Sequence, residues 1–193
     1  MEKEKGFFCR FACRKWQRRH GSVGTADTLR KRSVNRVKSV IIIFMKDLTK
    51  EYFDSRKDMQ LATIANGQPW ICTVYFVYDD DFNLYWTSGR SRQHSLEILK
   101  DPKTAVTIVR DTERKQALQI IGNAYEVADN DLERVHNLYQ ARYGAKDYDL
   151  EEMKKHDPEG RAYWTFKPTE ISLWDEVNFP DAPKQRYIEE TKL

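Results

Sequence analysis

Residues 59–89, MQLATIANGQPWICTVYFVYDDDFNLYWTSG, read as three strands in immediate succession. Met59–Ala65, Trp70–Tyr78 and Phe82–Ser88 are rich in the β-branched and aromatic residues that fit a pleated, half-buried surface. The segments joining them are far shorter than the dozen or more residues a parallel crossover requires, so the strands must run antiparallel. Asn66-Gly67 supplies the first turn, because both residues tolerate positive φ, and Gln68-Pro69 is expected to lengthen that loop. Asp79–Asp81 makes the second turn.

Further strands extend the sheet: KTAVTIVR at 103–110, QALQIIGNAYEVA at 116–128, and RAYWTFKPTEISLWDE on both sides of Pro168. Gly122 is expected to mark a bulge or a close backbone approach. Six or seven strands then need their edges covered, and a closed or partly split antiparallel barrel does this. Few helices accompany them. KDLTKEYFDSRKD sets Leu48 and Tyr52 four residues apart on one face, and a second helix starts near Gln93. DNDLERVHNLYQARYG, with Asp129 or Asn130 as cap and Gly144 as stop, is a third.

Charge divides the chain sharply. Residues 1–44 hold twelve Lys/Arg against three acidic residues, a net of +9, which leaves −6 for the remainder of a chain whose total is +3. This basic segment lacks a sustained period, so it is expected to be a loosely ordered extension, with Met45 opening the folded domain at 45–193. A polyanion-binding arm is the alternative reading of the same charges, but nucleic acid is not an expected partner. Cys9, Cys13 and Cys72 are odd in number and sparse, and no apolar run approaches the roughly 20 residues that span a bilayer. The expected address is cytoplasmic, with no membrane partner.

Between the third strand and the second helix lies YWTSGRSRQHSLEILKDP, residues 85–102. Thr87, Ser88, Ser91 and Arg92 offer hydroxyl and guanidinium donors, Gly89 permits close approach, and the helix start directs free amides at the same point. That combination suits a phosphate. It equally suits an ordinary connection in which a serine caps the helix. His94 and His136 read as helix-surface residues, and Cys72 as a small buried hydrophobe.

The order of elements carries more than any one of them. The Thr87–Ser91–Arg92 turn, a helix ending at Asp101-Pro102 and a strand bearing Gln119, Gly122 and Ala124 follow an aromatic strand pair. Over 45–175 this order resembles the pyridoxamine 5′-phosphate oxidase-like FMN-binding split-barrel family. The resemblance implies FMN as cofactor, its phosphate held by Thr87, Ser91 and Arg92, with Gln93 where many members carry Lys. It places Cys72, Thr73, Val74 and Tyr75 along the isoalloxazine, Trp86 at the flank of the cleft, and Gln119 reaching in from the second subunit of a homodimer.

Two departures redirect the expectation. The true oxidase carries a basic residue on its second strand and a C-terminal R-x-H-x-R element, whereas ICTVYFVY has no base and DAPKQRYIEETKL has no such element. The resemblance therefore points to the general-stress or uncharacterised flavoprotein branch. The implied function is an FMN-dependent oxidoreductase acting on a small molecule by hydride transfer. A non-enzymatic flavin carrier or redox sensor, and a haem-binding split barrel, are the alternatives.

Overall fold

The structure is a computed structural model that describes residues 43–144 and 149–187. Nearly all of the basic extension expected over 1–44 lies outside the described residues. The chain divides into compact units at 1–48 and 49–193. Of the first, the described part is the helical stretch 43–48, the start of helix α1 (helical residues 43–55). Among the described residues, the second unit carries all the strands.

Eight strands form one antiparallel sheet: β1 Asp58–Ala65, β2 Gln68–Tyr75, β3 Val77–Tyr78, β4 Leu84–Gly89, β5 Lys103–Asp111, β6 Gln116–Glu126, β7 Arg161–Asp175 and β8 Lys184–Tyr187. The pairing order is β2-β1-β5-β6-β7-β4-β3, with β8 paired to β7. The sheet curls into a split barrel, as its sequence pattern implies. Side chains alternate across each strand, so in β1 Met59, Leu61 and Thr63 are buried while Gln60, Ala62 and Ile64 are half-exposed. Leu118 and Ile120 of β6 and Trp164 and Phe166 of β7 complete the interior. Each such side chain contributes about 1.5–3 kcal/mol by leaving water.

Between β4 and β5 runs α2 (Gln93–Lys100), which packs across β1, β2 and β6. It buries His94, Ser95, Glu97 and Ile98. The carboxylate of Glu97 accepts from Thr63 Oγ1 at 2.5 Å and from Gln93 Nε2 at 3.0 Å, which satisfies a charge taken out of water. Helix α3 (Leu132–Tyr143) follows a 3-10 turn at Asp129–Asp131 and ends on Gly144 at φ 59°, the left-handed stop expected there. Neither Asp129 nor Asn130 caps α3. Its start is Asp131, whose side chain makes no cap bond and instead takes Arg134 on both oxygens, at 2.6 and 2.7 Å. Val135 and Tyr139 of α3 pack with Tyr85, Tyr163 and Val77 on the far side of β4 and β7.

The first hairpin is tighter than expected. Ala65 pairs with Gln68, so the turn is Asn66-Gly67 alone, at φ 53° and 76°, and Pro69 lies within β2. Proline is tolerated there because β2 is an edge strand and needs no donor on its free side. Gly122 does mark a close approach: a Cβ there would stand 2.2 Å from the Lys167 carbonyl, where the β6–β7 register shifts. The expected strand Trp70–Tyr78 divides after Tyr75 into β2 and β3, which stand at opposite ends of the pairing order, and β8 and the five-residue helix α4 (Leu150–Lys154), which Asp149 caps through the Glu151 amide, are additional to the sequence reading.

Candidate functional site

The sheet ends in β2 on one side and in the two-residue β3, beside β4, on the other, and β2 does not pair with either. A cleft of about 730 Å³ lies between β2 and β4. Thr73, Val74 and Tyr75 form one wall, Thr87, Ser88, Gly89, Arg92 and Arg161 the other, and His94 and Tyr139 complete it with Asp58. A second hollow of about 570 Å³, between β1 and β5, is lined in part by charges already spent. There Arg56 pairs with Asp58 and Arg110 with Glu51.

Within the first cleft the Thr87 hydroxyl is buried and has no hydrogen-bond partner. An orphaned buried polar atom costs about 1–3 kcal/mol, and native proteins keep few of them without a reason. Arg92 is exposed one turn away, where it forms the N-cap of α2 at φ −70° and ψ 147°. No side chain caps this helix, so the expectation that a serine satisfies its first amides is not met. The amides of the first turn and the partial positive charge of the helix start therefore remain available to an anion. Gly89 lies beside Arg92: a Cβ there would make an ordinary contact with Arg92 Cγ at 3.4 Å. A hydroxyl without a partner, a guanidinium and uncapped amides fit a phosphate group.

His94 is the main correction to the sequence reading. It is 9% exposed, not on the helix surface, and its Nε2 lies 2.8 Å from Ser88 Oγ. Burial lowers its pKa, with Glu97 opposing and Arg92 reinforcing that shift, so the imidazole is held neutral at pH 7. His136 is also engaged, its Nδ1 lying 3.0 Å from Tyr163 Oη.

The cleft gathers part of the expected set and disperses the rest. Thr73, Val74, Tyr75, Thr87 and Arg92 line it together. Trp86 does not flank it. Adjacent strand residues face opposite sides, so with Thr87 turned to the cleft Trp86 points into the barrel, at 0% exposure beside Trp164. Cys72 is half-buried on the interior face opposite Leu61, and burial, aided by Glu97, pushes its thiol pKa up, away from nucleophilic use. Ser91 is exposed on the turn outside the lining, and the Gln93 amide is taken by Glu97.

Gln119 sits on the outer face of β6, in one registered row with Thr107, Gln60 and Thr73. It is three strand spacings, about 14 Å, from β2 of its own subunit. Asp58, Tyr139 and Arg161 were not legible as lining residues. Arg161 follows a charged loop without a motif, and Tyr139 reads equally well as part of an apolar helix face.

Residues 45–175 match the family model described as pyridoxamine 5′-phosphate oxidase. The chain belongs to this family. No curated protein sequence matches it. Among solved structures it is similar to a protein of Clostridium acetobutylicum related to general stress protein 26, at 15% identity and a TM-score of 0.54. That match covers 74% of this chain and 93% of the other. A haem-binding protein from Mycobacterium smegmatis matches at 14% identity and a TM-score of 0.57, over 70% and 54% of the two chains. HutZ, the haem storage protein of Vibrio cholerae, matches at 19% identity and a TM-score of 0.51, over 63% and 88%. At these identities the likeness establishes the fold. No described helix is long and apolar enough to cross a membrane. No group of three or more His, Cys, Asp or Glu able to hold a metal occurs among the described residues.

Proposed function

We propose that the cleft between β2 and β4 binds FMN and that the protein is a flavin-dependent oxidoreductase of the general-stress type. The unpartnered Thr87 hydroxyl, in a cleft that Arg92 also lines, carries this reading. Thr87 and Arg92 hold the phosphate with the first amides of α2, the guanidinium pairing through two parallel charge-assisted hydrogen bonds. The backbone of Thr73–Tyr75, on an edge strand with a free side, lies along the isoalloxazine. When bound, FMN supplies hydride and electron transfer, and the protein orients it and shapes the space above its ring.

The outer face of the sheet supports a homodimer. Ile71 and Ile121 are 62% and 52% exposed and share one registered row through Ala62 and Ala105. Two such faces stacked about a two-fold axis would bury them. The same stacking is what would bring Gln119 of the partner subunit to the flavin.

The test is a flavin titration. Arg92→Ala should weaken FMN about tenfold to a hundredfold, the loss of about 1.5–3 kcal/mol of charge-assisted bonding. Riboflavin, which lacks the phosphate, should be unaffected. Lys100→Ala, at the far end of α2, should leave both affinities unchanged. Equal FMN affinity in Arg92→Ala overturns the assignment. A sharp haem band in the purified protein would replace FMN with haem. The imidazole among the cleft-lining residues is His94, whose Nε2 would first have to release Ser88. NAD(P)H turnover separates an oxidoreductase from a flavin carrier.

A further inference from the structure

The cleft contains a hydrogen-bonded pair that the phosphate reading leaves unused. His94, in the first turn of α2, and Ser88, near the end of β4, both line it, and His94 Nε2 lies 2.8 Å from Ser88 Oγ. Ser88 and Thr87 point to opposite faces of β4, so the pair borders the cleft from the barrel side and Thr87 from the other. Both members are buried.

One hydrogen decides what the pair offers. In a neutral imidazole one ring nitrogen carries a hydrogen and the other accepts, so Nε2 can take the Ser88 hydroxyl hydrogen and keep it inside the pair. In the imidazolium both nitrogens donate. Nε2 must then donate to Ser88 Oγ, and the hydroxyl hydrogen turns to another acceptor. Proton uptake thus adds a positive charge to the wall of the cleft and releases a donor on Ser88.

The charges that act on His94 are those of Glu97 and Arg92, on its own helix. Burial opposes the imidazolium most and Arg92 adds to it, while Glu97, whose oxygens are held by Thr63 and Gln93, favours it. An anion entering the cleft would add to the side of Glu97. The other elements around the cleft do not supply that anion. Asp58 of β1 has both oxygens held by Arg56 Nη2, Tyr139 of α3 donates to the Tyr75 carbonyl, and the Cys72 thiol of β2 has its pKa pushed up by burial.

We propose that His94 and Ser88 make anion binding in this cleft proton-linked: an anion beside Arg92 and Thr87 draws a proton onto His94, and Ser88 then turns its hydroxyl hydrogen to the anion. The inference rests on the FMN reading only for the identity of the anion's carrier. His94 is a positioning residue here, since it sets the direction in which Ser88 donates. Linkage is reciprocal, so the gain in proton affinity at His94 equals the gain in anion affinity. The anion therefore binds more tightly as pH falls through the imidazole range, about 6.5, and loses that gain above it.

The experiment titrates the full chain with FMN, riboflavin and sulfate at about pH 7.5 and about pH 5.5, on either side of that range. Flavins are followed by fluorescence, and sulfate by thermal unfolding against chloride of equal ionic strength. Sulfate keeps its charge throughout, whereas the FMN phosphate exchanges its second proton near pH 6, so variant and parent are compared at the same pH. His94→Gln can still bond Ser88 but cannot take up a proton. It should match the parent in FMN affinity at the higher pH and bind about threefold to tenfold more weakly at the lower, as for a coupling of up to about one pKa unit. Ser88→Ala should lose part of the same acid gain. Riboflavin should show no pH-dependent difference between parent and variants. Calorimetry of sulfate binding to the parent, in buffers of different ionisation heat, should show proton uptake and does not depend on any variant folding.

A parent that prefers FMN to riboflavin, with the His94→Gln difference equal at both pH values and no proton uptake with sulfate, overturns the linkage and leaves the flavin reading standing. Full acid gain in Ser88→Ala overturns the role of Ser88. A parent that binds no flavin yet takes up a proton with sulfate, and is stabilised by it more in acid than His94→Gln is, upholds the linkage and removes FMN as the carrier. A parent that binds both flavins equally and gains nothing from sulfate at either pH overturns both.

Discussion

Replacing Asp175 by alanine should be among the most costly single substitutions in the barrel. Asp175 ends β7 at 0% exposure and accepts five hydrogen bonds. Oδ1 takes Gln116 Nε2 at 3.1 Å and the amides of Val177 and Asn178 at 2.9 Å each, while Oδ2 takes Tyr52 Oη at 2.9 Å and Asn178 Nδ2 at 2.7 Å. Alanine leaves Tyr52 and Gln116, both buried, with unsatisfied donors at about 1–3 kcal/mol apiece. A total near 3–5 kcal/mol follows, or roughly 10 °C in Tm for a chain of this size. Asparagine should cost less. It keeps an oxygen toward the three-donor side, and the Tyr52 hydroxyl can rotate to accept.

The pH dependence follows from the direction of the shift. Burial alone would raise the Asp175 carboxyl, but its donors from Asn178, Gln116 and Tyr52 outweigh that, and its pKa lies below the ordinary value. A carboxyl depressed in the folded state contributes stability that is complete above its unfolded value, about 3.9, and is lost as pH falls through the folded one. Urea unfolding of parent and Asp175→Ala should therefore show the full gap at pH 7 and a smaller gap at pH 3. A gap under about 1 kcal/mol at pH 7, or one unchanged at pH 3, refutes this account.

The other expectations are more local. Gly122→Ala forces a Cβ to 2.2 Å from the Lys167 carbonyl and 2.9 Å from Phe166 Cζ. It should lower stability by at least about 1–3 kcal/mol, and an unchanged melting curve would show that the bulge yields freely. His94→Ala strands the buried Ser88 hydroxyl, at a cost of about 1–3 kcal/mol. Because the His94 pKa is lowered, the parent should also lose stability as pH falls below about 6.5, and the variant should lack that component in melts between pH 7 and 5. A chain beginning at Met45, where the family match starts, should fold and should equal the full chain in oligomeric state and in flavin affinity. Loss of solubility, or a change in either property, would count against this.

The barrel was legible because its signals are local. Alternation in β1 and β6, the Asn66-Gly67 turn and the stop at Gly144 each depend on a few neighbouring residues, and each stands where the pattern put it. The errors arose where one residue answers to a distant one. The family resemblance implies Trp86 at the flank of the cleft, and only strand parity relative to Thr87 sends it inward. His94 looked like a surface residue until α2 was laid against Ser88, six residues earlier on a strand. Arg161 carries no sequence signal at all. Its position depends on the pairing with Gly89 and on the bond from Arg90 Nη1 to its carbonyl, contacts that span about seventy residues of chain.

The last turn of α3 has an effect that reaches beyond its own packing. Tyr139 Oη donates to the Tyr75 carbonyl at 2.7 Å, and Tyr143 Oη donates to those of Phe76 and Lys57 at 2.5 and 3.0 Å. Arg142 Nη2 reaches the Phe53 carbonyl at 3.0 Å and that of Arg56 at 2.5 Å. These side chains hold the last carbonyl of β2, at Tyr75, together with that of Phe76 just beyond it and those of Phe53, Arg56 and Lys57 on the approach to β1. The donors that line the cleft thus come from one part of the chain and the support of its β2 wall from another. Changes in α3 can widen or narrow the gap while Thr87 and Arg92 stay in place, so what the pocket grips and what it admits are free to diverge separately.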